Sequence, residues 1–425
     1  MMVTALFVTF AVLLILGAPV GIALGGASAV YLVGSDIDLA VVPQFMYAGM
    51  DSFVLLCIPG FVLAGNLMNG GGITDQIVLF SNRLVGHIRG GLGLANVTGS
   101  MVFAGISGTA VAETASIGAV MIPAMRKSGY DAPFAAAVTA AASTVGPIIP
   151  PSVPMIIVGT LTGLSVGKMF MAGAIPGLLL GIGMMLTVWI LARVRNYPRE
   201  PWQGFGALLR ASRGAFWALL MTAIILFGIV GGYFTPTEAS IVAALYAFVI
   251  GLFVYKGFKL RQLPGILLES AIGAGGLILL VGLANVFGWI LTSEQIPQAI
   301  AASMLALTTN KYLIILLINI LLLIVGTFME TIAALIILFP PLLAVATQVG
   351  IDPIHFATFA VLNLMIGLTT PPVGVCLFVA ANIAKISLGA ITKAIWPFLL
   401  CNIVILFLVS YIPALSLWLP SLLFR

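Results

Sequence analysis

The amino-acid sequence predicts an all-α polytopic membrane protein built from two inverted repeats, and three observations support this fold class. First, 62% of the 425 residues are hydrophobic and only 7% are charged, whereas soluble domains are close to a quarter charged. Second, apolar stretches of helix length recur from one end of the chain to the other. Third, motifs of the first half recur in the same order in the second. Residues 1–425 are therefore predicted to form a single transmembrane domain.

The same composition argues against several other classes of protein. Two histidines and three scattered cysteines are too few for a metal cage or a disulfide framework. The sequence has no GxxxxGK[ST] motif, so ATP hydrolysis is not expected. A membrane enzyme would normally cluster Asp, His or Arg at the interface, and the sequence shows no such cluster. Neither an enzyme, a bound cofactor nor a nucleic-acid partner is expected.

In chain order, apolar stretches bounded by Gly, Pro or charge predict membrane segments at 2–17, 18–34, 52–70, 91–107, 112–125, 131–164, 170–191, 214–234, 238–256, 265–292, 313–327, 331–346, 353–384 and 394–412. Three further segments are predicted to lie along the bilayer surface, at 36–50, 73–89 and 295–310. The second of these mixes apolar residues with Asp75, Arg83 and His87 at loosely helical spacing. That pattern suits an interfacial helix, and an ordinary loop is the alternative.

Two neighbouring pairs of segments, 91–107 with 112–125 and 313–327 with 331–346, are short for full crossings. They are predicted to be re-entrant hairpins, whose tips need shielding by protein or by a water-filled cavity. Ten crossings then remain, and their alternation collects fourteen Lys and Arg residues on one face against three on the other. The positive-inside rule makes the first face cytoplasmic, so both termini are predicted to face outward.

The repeat is visible as two motifs in matching order. A Glu-Thr pair lies ten residues before a proline in both halves, at 113–114 and at 330–331. Further along, GPIIPP at 146–151 corresponds to GLTTPP at 367–372. The predicted units are repeat 1 (52–191), a basic cytoplasmic connection (193–213) and repeat 2 (265–412).

The charges around the two hairpins predict that the repeats have opposite orientation. Arg89 and Arg126 flank the first hairpin, which therefore opens to the cytoplasm, whereas Lys311 and Asp352 place the second on the outer side. Each repeat then contains a hairpin followed by a Pro-broken helix. Inverted repeats with broken helices are typical of secondary transporters, which bind substrate near the midplane.

Each hairpin tip and its downstream helix break are rich in Gly, Ser and Thr, and together they predict one sodium site per repeat. Unwound backbone leaves carbonyl oxygens free, and hydroxyls supplement them as uncharged oxygen ligands. The candidate ligands are Ser107, Thr109, Thr144 and Gly146 in repeat 1, and Gly326, Met329, Gly367 and Thr370 in repeat 2. The alternative is that these small residues serve close packing and interhelical hydrogen bonds.

Two carboxylates at predicted membrane depth, Glu113 and Glu330, are the candidates for coupling to an ion or a proton. The alternative is structural, because a Glu in the first turn of a helix can satisfy free N–H groups. The helix starts predicted near Ser152 and Val373 carry partial positive charge and could hold an anionic group. Thr114, Ser152 and Thr331 complete the substrate or coupling candidates. His87 and His355 are expected to be surface histidines near the interfaces.

Four runs of sequence carry a resemblance to a known family: FAGISGTAVAETASIGAVMIPAM at 103–125, TVGPIIPPSVPMII at 144–157, GGYFTPTEASIVA at 231–243 and NLMIGLTTPPVGVCLFV at 363–379. They resemble the large membrane subunit, DctM-like, of tripartite ATP-independent periplasmic (TRAP) transporters, over essentially the whole chain. The resemblance implies a sodium-driven importer of an organic acid delivered by a soluble periplasmic binding protein. It also implies a second membrane subunit of about four helices and an elevator mechanism in the bacterial inner membrane.

Carried over by position, the resemblance places Ser107, Thr144 and Gly146 in one sodium site. It places Gly326, Gly367 and Thr370 in the other. A stand-alone sodium:dicarboxylate symporter, which would need no binding protein, remains the alternative. The identity of the organic acid stays open between sialic acid, C4-dicarboxylates, other sugar acids and amino-acid-like anions.

Overall fold

The computed structural model describes residues 2–107 and 109–424, without the side chains of residues 15, 104–107 and 301. Within these residues the chain is helical, with no strand, as the apolar periodicity predicts. Seven of the described helices are long and apolar enough to cross a membrane. The chain is therefore a multi-pass membrane protein, and its predicted segments can be compared with the helices one by one.

The first five helices are α1 (Met2–Ile15), α2 (Val20–Gly34), α3 (Val41–Met50), α4 (Cys57–Gly70) and α5 (Ile73–Val85). Pro19 immediately precedes α2, and Gly72 precedes α5 in the left-handed conformation, at φ 75°, which glycine adopts without steric cost. The predicted surface segments at 36–50 and 73–89 thus contain α3 and α5. The α5 segment is a helix and not the alternative loop.

The first hairpin consists of α6 (Gly91–Ser107) and α7 (Ala110–Lys127), whose helices pack against each other. The broken helix that follows has two halves, α8 (Ala132–Ala142) and α9 (Val153–Thr162), separated by residues 143–152, the first break. Three prolines in the break remove backbone donors that a continuous helix needs. The long helix α10 (Val166–Val194) then completes the predicted repeat 1 region.

The central helices are α11 (Phe205–Val230), α12 (Pro236–Val249) and α13 (Leu263–Ser293). The connection before α11 is shorter than the predicted 193–213. Helix α11 begins nine residues earlier than expected, and its first stretch is half polar.

Thr235 and Glu238 cap the start of α12 reciprocally. The Thr235 hydroxyl accepts from the Glu238 amide at 3.2 Å, and Glu238 Oε2 accepts from the Thr235 amide at 2.8 Å. This is the capping box expected from Thr-Pro-Thr-Glu.

The remaining helices are α14 (Ile296–Leu307), α15 (Lys311–Phe328), α16 (Thr331–Gln348), α17 (Pro353–Gly367), α18 (Val375–Ala384), α19 (Leu388–Tyr411) and α20 (Ala414–Leu423). The second hairpin is α15–α16, and residues 368–374 form the second break. Both hairpin helices have 18 residues and are long and apolar enough to cross a membrane. Their length therefore does not support re-entry, which stays a prediction. Helix α20 follows Pro413 and lies beyond the last predicted segment.

The second half of each broken helix packs against the hairpin of the other half of the chain. Helix α9, the second half of the first broken helix, packs against α16 of the second hairpin and against α17. Helix α18, the second half of the other broken helix, packs against α7 of the first hairpin and against α8. This crossed packing brings both hairpins and both breaks into one buried region.

An aromatic and charged cluster holds the α7–α8 connection against the end of α10. Tyr130 lies 4.5 Å from Tyr197, ring centroid to centroid, and the Tyr197 hydroxyl donates to Asp131 Oδ2 at 2.7 Å. Arg195 pairs with the same carboxylate at 3.7 Å. Burial raises the pKa of the Tyr130 phenol to about 12, and the ring packs between Phe134 and Tyr197.

Candidate functional site

The first hairpin meets the first break through direct side-chain contacts. The Thr114 hydroxyl lies 2.6 Å from the Ser143 hydroxyl and donates to the Ala110 carbonyl at 2.8 Å. Gly146 lies so close to Glu113 that a Cβ built on it would overlap Glu113 Oε2. All four of Glu113, Thr114, Ser143 and Gly146 are buried. The structure thus brings Glu113 and Thr114 of the first hairpin together with Gly146 of the first break.

Glu113 is fully buried, and neither of its carboxylate oxygens has a hydrogen-bond partner among the described residues. Its neighbouring polar group is the buried Ser100 hydroxyl of α6, which lies within interaction range of the carboxylate. An unpaired carboxylate is costly to bury, so such a group is neutralised by a proton or by a cation. This position therefore has the chemistry of a cation or proton site.

Glu113 lies in the first turn of α7, as expected, but its carboxylate does not bond the amides of that helix among the described residues. Helix α7 starts after Thr109, so Glu113 is its fourth residue, and the Glu113 amide already donates to the Thr109 carbonyl at 3.1 Å. The Glu113 side chain therefore lies near the positive end of the α7 dipole without satisfying one of its free amides. The sequence motif did not show this, because it does not fix where the helix begins.

The other repeat 1 candidates differ in how they present their oxygens. Thr144 is fully buried, and its hydroxyl donates to the Ala141 carbonyl at 2.8 Å, which leaves its lone pairs available to a cation. Thr109 is half-buried at the start of α7. The side chain of Ser107, at the end of α6, lies outside the described residues.

The second hairpin meets the second break backbone to backbone. A Cβ built on Gly367 would come within 2.6 Å of Gly326 Cα, so only glycine fits at this contact. The Gly374 amide donates to the Thr327 carbonyl at 3.2 Å, which ties the break to the hairpin tip. Both contacting glycines are buried. Here the predicted neighbours touch through main chain, and their carbonyls are the local acceptors.

Met329 and Thr370 lie at the edge of this contact. Met329 follows α15 in extended conformation and is half-buried. Thr370 is half-buried in the break, and its hydroxyl donates to the Ile366 carbonyl at 2.9 Å. Both residues therefore border the Gly326–Gly367 contact without forming it.

Glu330 behaves as a helix cap. Its carboxylate accepts from the amides of Ile332 at 2.9 Å and Ala333 at 3.3 Å, because α16 begins directly after it. The structural alternative therefore applies to Glu330. The neighbouring Thr331 hydroxyl is fully buried and has no hydrogen-bond partner among the described residues, so it is an oxygen that a ligand could use.

The two second half-helices start differently. Ser152 caps α9 by accepting from the Met155 amide at 3.2 Å, and its hydroxyl donates to the Pro147 carbonyl. Helix α18 starts at Val375 after Gly374, which is in the left-handed conformation at φ 58°, two residues beyond the predicted start near Val373. Ser152 is thus engaged with its own break, whereas the α18 start has no side-chain cap.

Cys376 is a residue at this site that the sequence reasoning missed. It is fully buried in the first turn of α18, within interaction range of the Thr114 and Ser143 hydroxyls and of both carboxylates, Glu113 and Glu330. It therefore marks where the two halves of the site meet. Its position follows from the crossed packing, which no short sequence signal announces.

Two buried polar pairs, also missed from the sequence, support the hairpins. Asn96 of α6 donates to the Thr139 hydroxyl of α8 at 2.6 Å, and Asn363 of α17 donates to Asn319 Oδ1 of α15 at 2.8 Å. Each pair joins the first arm of a hairpin to the first half of its broken helix. Buried amides need such partners, so the pairs fix how each hairpin sits on its broken helix.

Behind Asn319, a polar chain reaches His355. Asn319 donates to the Ser410 hydroxyl at 3.1 Å, and the His355 ring nitrogens lie 2.7 Å from the Ser416 hydroxyl and 3.1 Å from the Ser410 carbonyl. His355 is 1% exposed, so the expectation of a surface histidine is wrong for it. His87 is exposed, as expected, and its ring packs edge-on against Trp202.

A cavity of about 530 Å³ lies beside this region, between α3, α9, α13, α14 and α16. Its wall is mostly apolar and includes Trp289, Pro340 and Pro341, with Thr160 and Asn285 among its few polar groups. No charged side chain lines it. Among the described residues there is also no group of three or more His, Cys, Asp or Glu that could hold a metal ion.

A family model described as "Tripartite ATP-independent periplasmic transporter, DctM component" matches residues 7–415. The chain is 41% identical over 413 residues to the sialic acid TRAP transporter large permease protein SiaM of Vibrio cholerae, covering 96% of each. It is 42% identical over 398 residues to the C4-dicarboxylate TRAP transporter large permease protein DctM of Pseudomonas aeruginosa, covering 94% of this chain and 93% of the other.

Among solved structures, the chain is similar to the YdaH transporter of Alcanivorax borkumensis. The TM-score is 0.61 at 17% sequence identity, over 89% of this chain and 87% of the other. At that identity the likeness concerns the fold alone.

Proposed function

Because this chain belongs to the DctM component family of tripartite ATP-independent periplasmic transporters, we propose that it is the large permease subunit of a sodium-coupled importer of an organic acid. The observation that carries the proposal is a buried, oxygen-rich region where two hairpins meet two helix breaks. The named substrates of its relatives, sialic acid and C4-dicarboxylates, are carboxylates. A carboxylate is accordingly the proposed substrate class.

The proposed repeat 1 sodium site consists of Ser107, Thr109, Thr144 and Gly146. Support comes from the contact between the first hairpin and the first break, where the buried hydroxyls of Thr114 and Ser143 lie 2.6 Å apart and Thr144 is fully buried. Uncharged oxygens suit sodium. Glu113, beside Gly146, is the proposed coupling carboxylate, since its buried oxygens have no partner among the described residues.

The proposed repeat 2 sodium site consists of Gly326, Met329, Gly367 and Thr370. Its support is the close backbone contact of the two glycines, which presents carbonyl oxygens without any side chain between them. Glu330 is engaged in capping α16, so its part is to hold the start of that helix beside the site. Thr331 is the neighbouring hydroxyl proposed to reach the substrate.

For the substrate, the proposed binding region lies between the starts of α9 and α18, where helix ends offer partial positive charge to a carboxylate. Thr114, Ser152 and Thr331 are the hydroxyls proposed to assist. The cavity beside α16 and α9 is the proposed approach from the outer side, and its volume suits a small organic acid. In an elevator, the hairpins and broken helices would move against α3 and α13.

The family name implies two partners, a periplasmic binding protein and a smaller membrane component. We propose that the complex lies in the bacterial inner membrane. The fourteen-to-three distribution of Lys and Arg supports an orientation with both termini of this chain in the periplasm. A stand-alone symporter is not favoured, because the matched relatives are named as TRAP permeases.

The test is uptake into proteoliposomes that contain this chain and its membrane partner, with a panel of radiolabelled organic acids. Binding protein and an inward sodium gradient are each present or absent. Uptake that requires both supports the proposal and identifies the substrate. Uptake with sodium alone would point to the stand-alone symporter, and uptake driven by a proton gradient alone would contradict the sodium sites.

A further inference from the structure

A basic pocket lies away from the transport site, where the α5–α6 turn meets the end of α10. It has a volume of about 540 Å³. Three arginines line it, together with a tryptophan, a histidine and an isoleucine: Arg89, Arg193, Arg199, Trp189, His87 and Ile88. We call this the arginine pocket. By the charge distribution it lies on the cytoplasmic side.

The arginine pocket is held in shape by backbone hydrogen bonds between its two walls. The Gly90 amide donates to the Pro198 carbonyl at 3.3 Å, and the Glu200 amide donates to the Gly86 carbonyl at 3.1 Å. Gly90 packs against Ala192 so closely that a Cβ on it would overlap. The connection after α10 is thus fastened to the α5–α6 turn, and the arginines project from a built frame.

None of the three guanidinium groups forms an ion pair with another described residue, whereas Arg195 pairs with Asp131. Glu200, the carboxylate nearest in sequence, accepts from Asn82 Nδ2 at 3.1 Å. The Arg193 guanidinium group stacks on the Trp189 ring, 3.9 Å from the ring centroid, and this contact orients the guanidinium group. Guanidinium groups arranged in this way are suited to bind a phosphate group through paired hydrogen bonds.

Above the arginine pocket, α10 exposes an apolar stripe. Ile182, Leu186 and Ile190 are 52%, 55% and 48% exposed. At 100° per residue, Ile182, Leu186, Trp189 and Arg193 fall on one face of the helix. The stripe therefore runs along the helix directly into the pocket. An acyl chain can bury apolar surface against this stripe, whereas a soluble anion has no apolar part that would contact it.

We propose that the arginine pocket binds the phosphodiester headgroup of an anionic glycerophospholipid, with an acyl chain along the α10 stripe. Basic pockets at the cytoplasmic ends of transmembrane helices have the chemistry that such headgroups require, and a tryptophan at this depth is typical of the membrane interface. The bound lipid would brace the joint between the first hairpin and the connection to α11.

The experiment is native mass spectrometry of the full chain in phosphatidylcholine micelles titrated with phosphatidylglycerol. The pocket variant is Arg89→Gln with Arg193→Gln, and the matched control is Arg210→Gln with Arg213→Gln, which removes the same charge from exposed arginines of α11. We expect the pocket variant to lower the affinity for phosphatidylglycerol by roughly tenfold or more, and the control to leave it unchanged.

Three results would overturn the proposal: equal losses in the pocket and control variants, no preference for phosphatidylglycerol over phosphatidylcholine, or displacement of the lipid by soluble glycerol 3-phosphate. If the glutamine pair does not fold, Arg89→Lys with Arg193→Lys keeps the charge but loses bidentate bonding. That variant is expected to weaken binding by about threefold, and undiminished binding would count against the pocket.

Discussion

Glu113 and Glu330 stand at matching places in the sequence, yet the structure uses them differently. Glu330 is the N-cap of α16 and bonds two amides of that helix. Glu113 is a turn further into α7, lies against Gly146 and has no partner among the described residues. A shared motif thus brings a carboxylate to each hairpin, while the residue at which the helix starts decides whether that carboxylate caps the helix or stays available to a ligand.

Exchange of each carboxylate for an amide gives the largest expected contrast. Glu113→Gln removes the charge that a cation would pair with, and loss of one partner of a buried ion interaction costs about 3–5 kcal/mol, so sodium-driven uptake should fall roughly 100-fold or more. Glu330→Gln keeps an acceptor for the α16 amides and should retain most uptake. The measurement is the initial rate in proteoliposomes.

Glu238→Gln is the matched control for these two variants, because Glu238 is exposed in the α12 capping box. Its uptake rate should equal the wild-type rate. Equal losses of uptake rate in Glu113→Gln and Glu330→Gln would contradict the proposed difference between the two carboxylates. A wild-type uptake rate in Glu113→Gln would show that Glu113 has no part in coupling.

The glycine contacts give the next largest difference. Gly367→Ala puts a methyl group into the backbone of Gly326, which cannot yield, and should destabilise the protein by about 1–3 kcal/mol. Gly146→Ala meets the end of a flexible glutamate instead and should cost less stability while impairing transport. Thermal unfolding in detergent measures the first effect, with Gly389→Ala, which meets nothing within 4 Å, as the control. A Gly146→Ala loss of stability as large as that of Gly367→Ala would contradict this ranking.

Loss of the Glu330 cap should have a smaller effect. Glu330→Ala leaves the amides of Ile332 and Ala333 without their acceptor, and lost N-caps cost about 0.5–2 kcal/mol. Glu330→Asp, another capping residue, should restore most of that stability. The same thermal-unfolding assay decides, and an alanine variant as stable as wild type would show that the cap contributes nothing.

The smallest expected effects are those of the buried polar pairs, which are present in both halves. Thr139→Val removes the acceptor of Asn96 and should cost about 0.6 kcal/mol, the average measured for such bonds between membrane helices. Asn363→Leu should lower the free energy of unfolding by more than Thr139→Val does. It removes the donor to Asn319, and Asn319 is also part of the polar chain through Ser410 to His355. Double-mutant cycles with Asn96→Ala and Asn319→Ala measure each coupling energy, and coupling near zero would show that the pairs do not join hairpin to broken helix.

The sequence predicted the helices well because hydropathy and Gly or Pro punctuation act locally. Every predicted membrane segment overlaps a helix or a helix pair, and the predicted breaks at 143–147 and 367–370 fall in or at the edge of irregular backbone. The last helix was missed because residues 414–423 were too short a stretch to be assigned a crossing. The connection was overestimated because α11 begins in a segment that contains Arg210 and Arg213.

The site was less predictable because it depends on contacts between distant segments. The local motifs identified the hairpin tips and breaks, but not that Cys376 of one half would lie beside Thr114 and Ser143 of the other. They also could not separate the roles of Glu113 and Glu330, since that needs the start of each helix to within one turn. Long-range packing carries both kinds of information.

The crossed packing has a consequence for how the chain is made. Helix α9 ends at residue 162, and its partner α16 begins at residue 331, so about two-fifths of the chain must be synthesised between them. Contacts of such sequence separation form late and slow folding. The first half of the chain therefore enters the membrane with α9 lacking its final neighbour, and the buried site is assembled only after the second hairpin has followed.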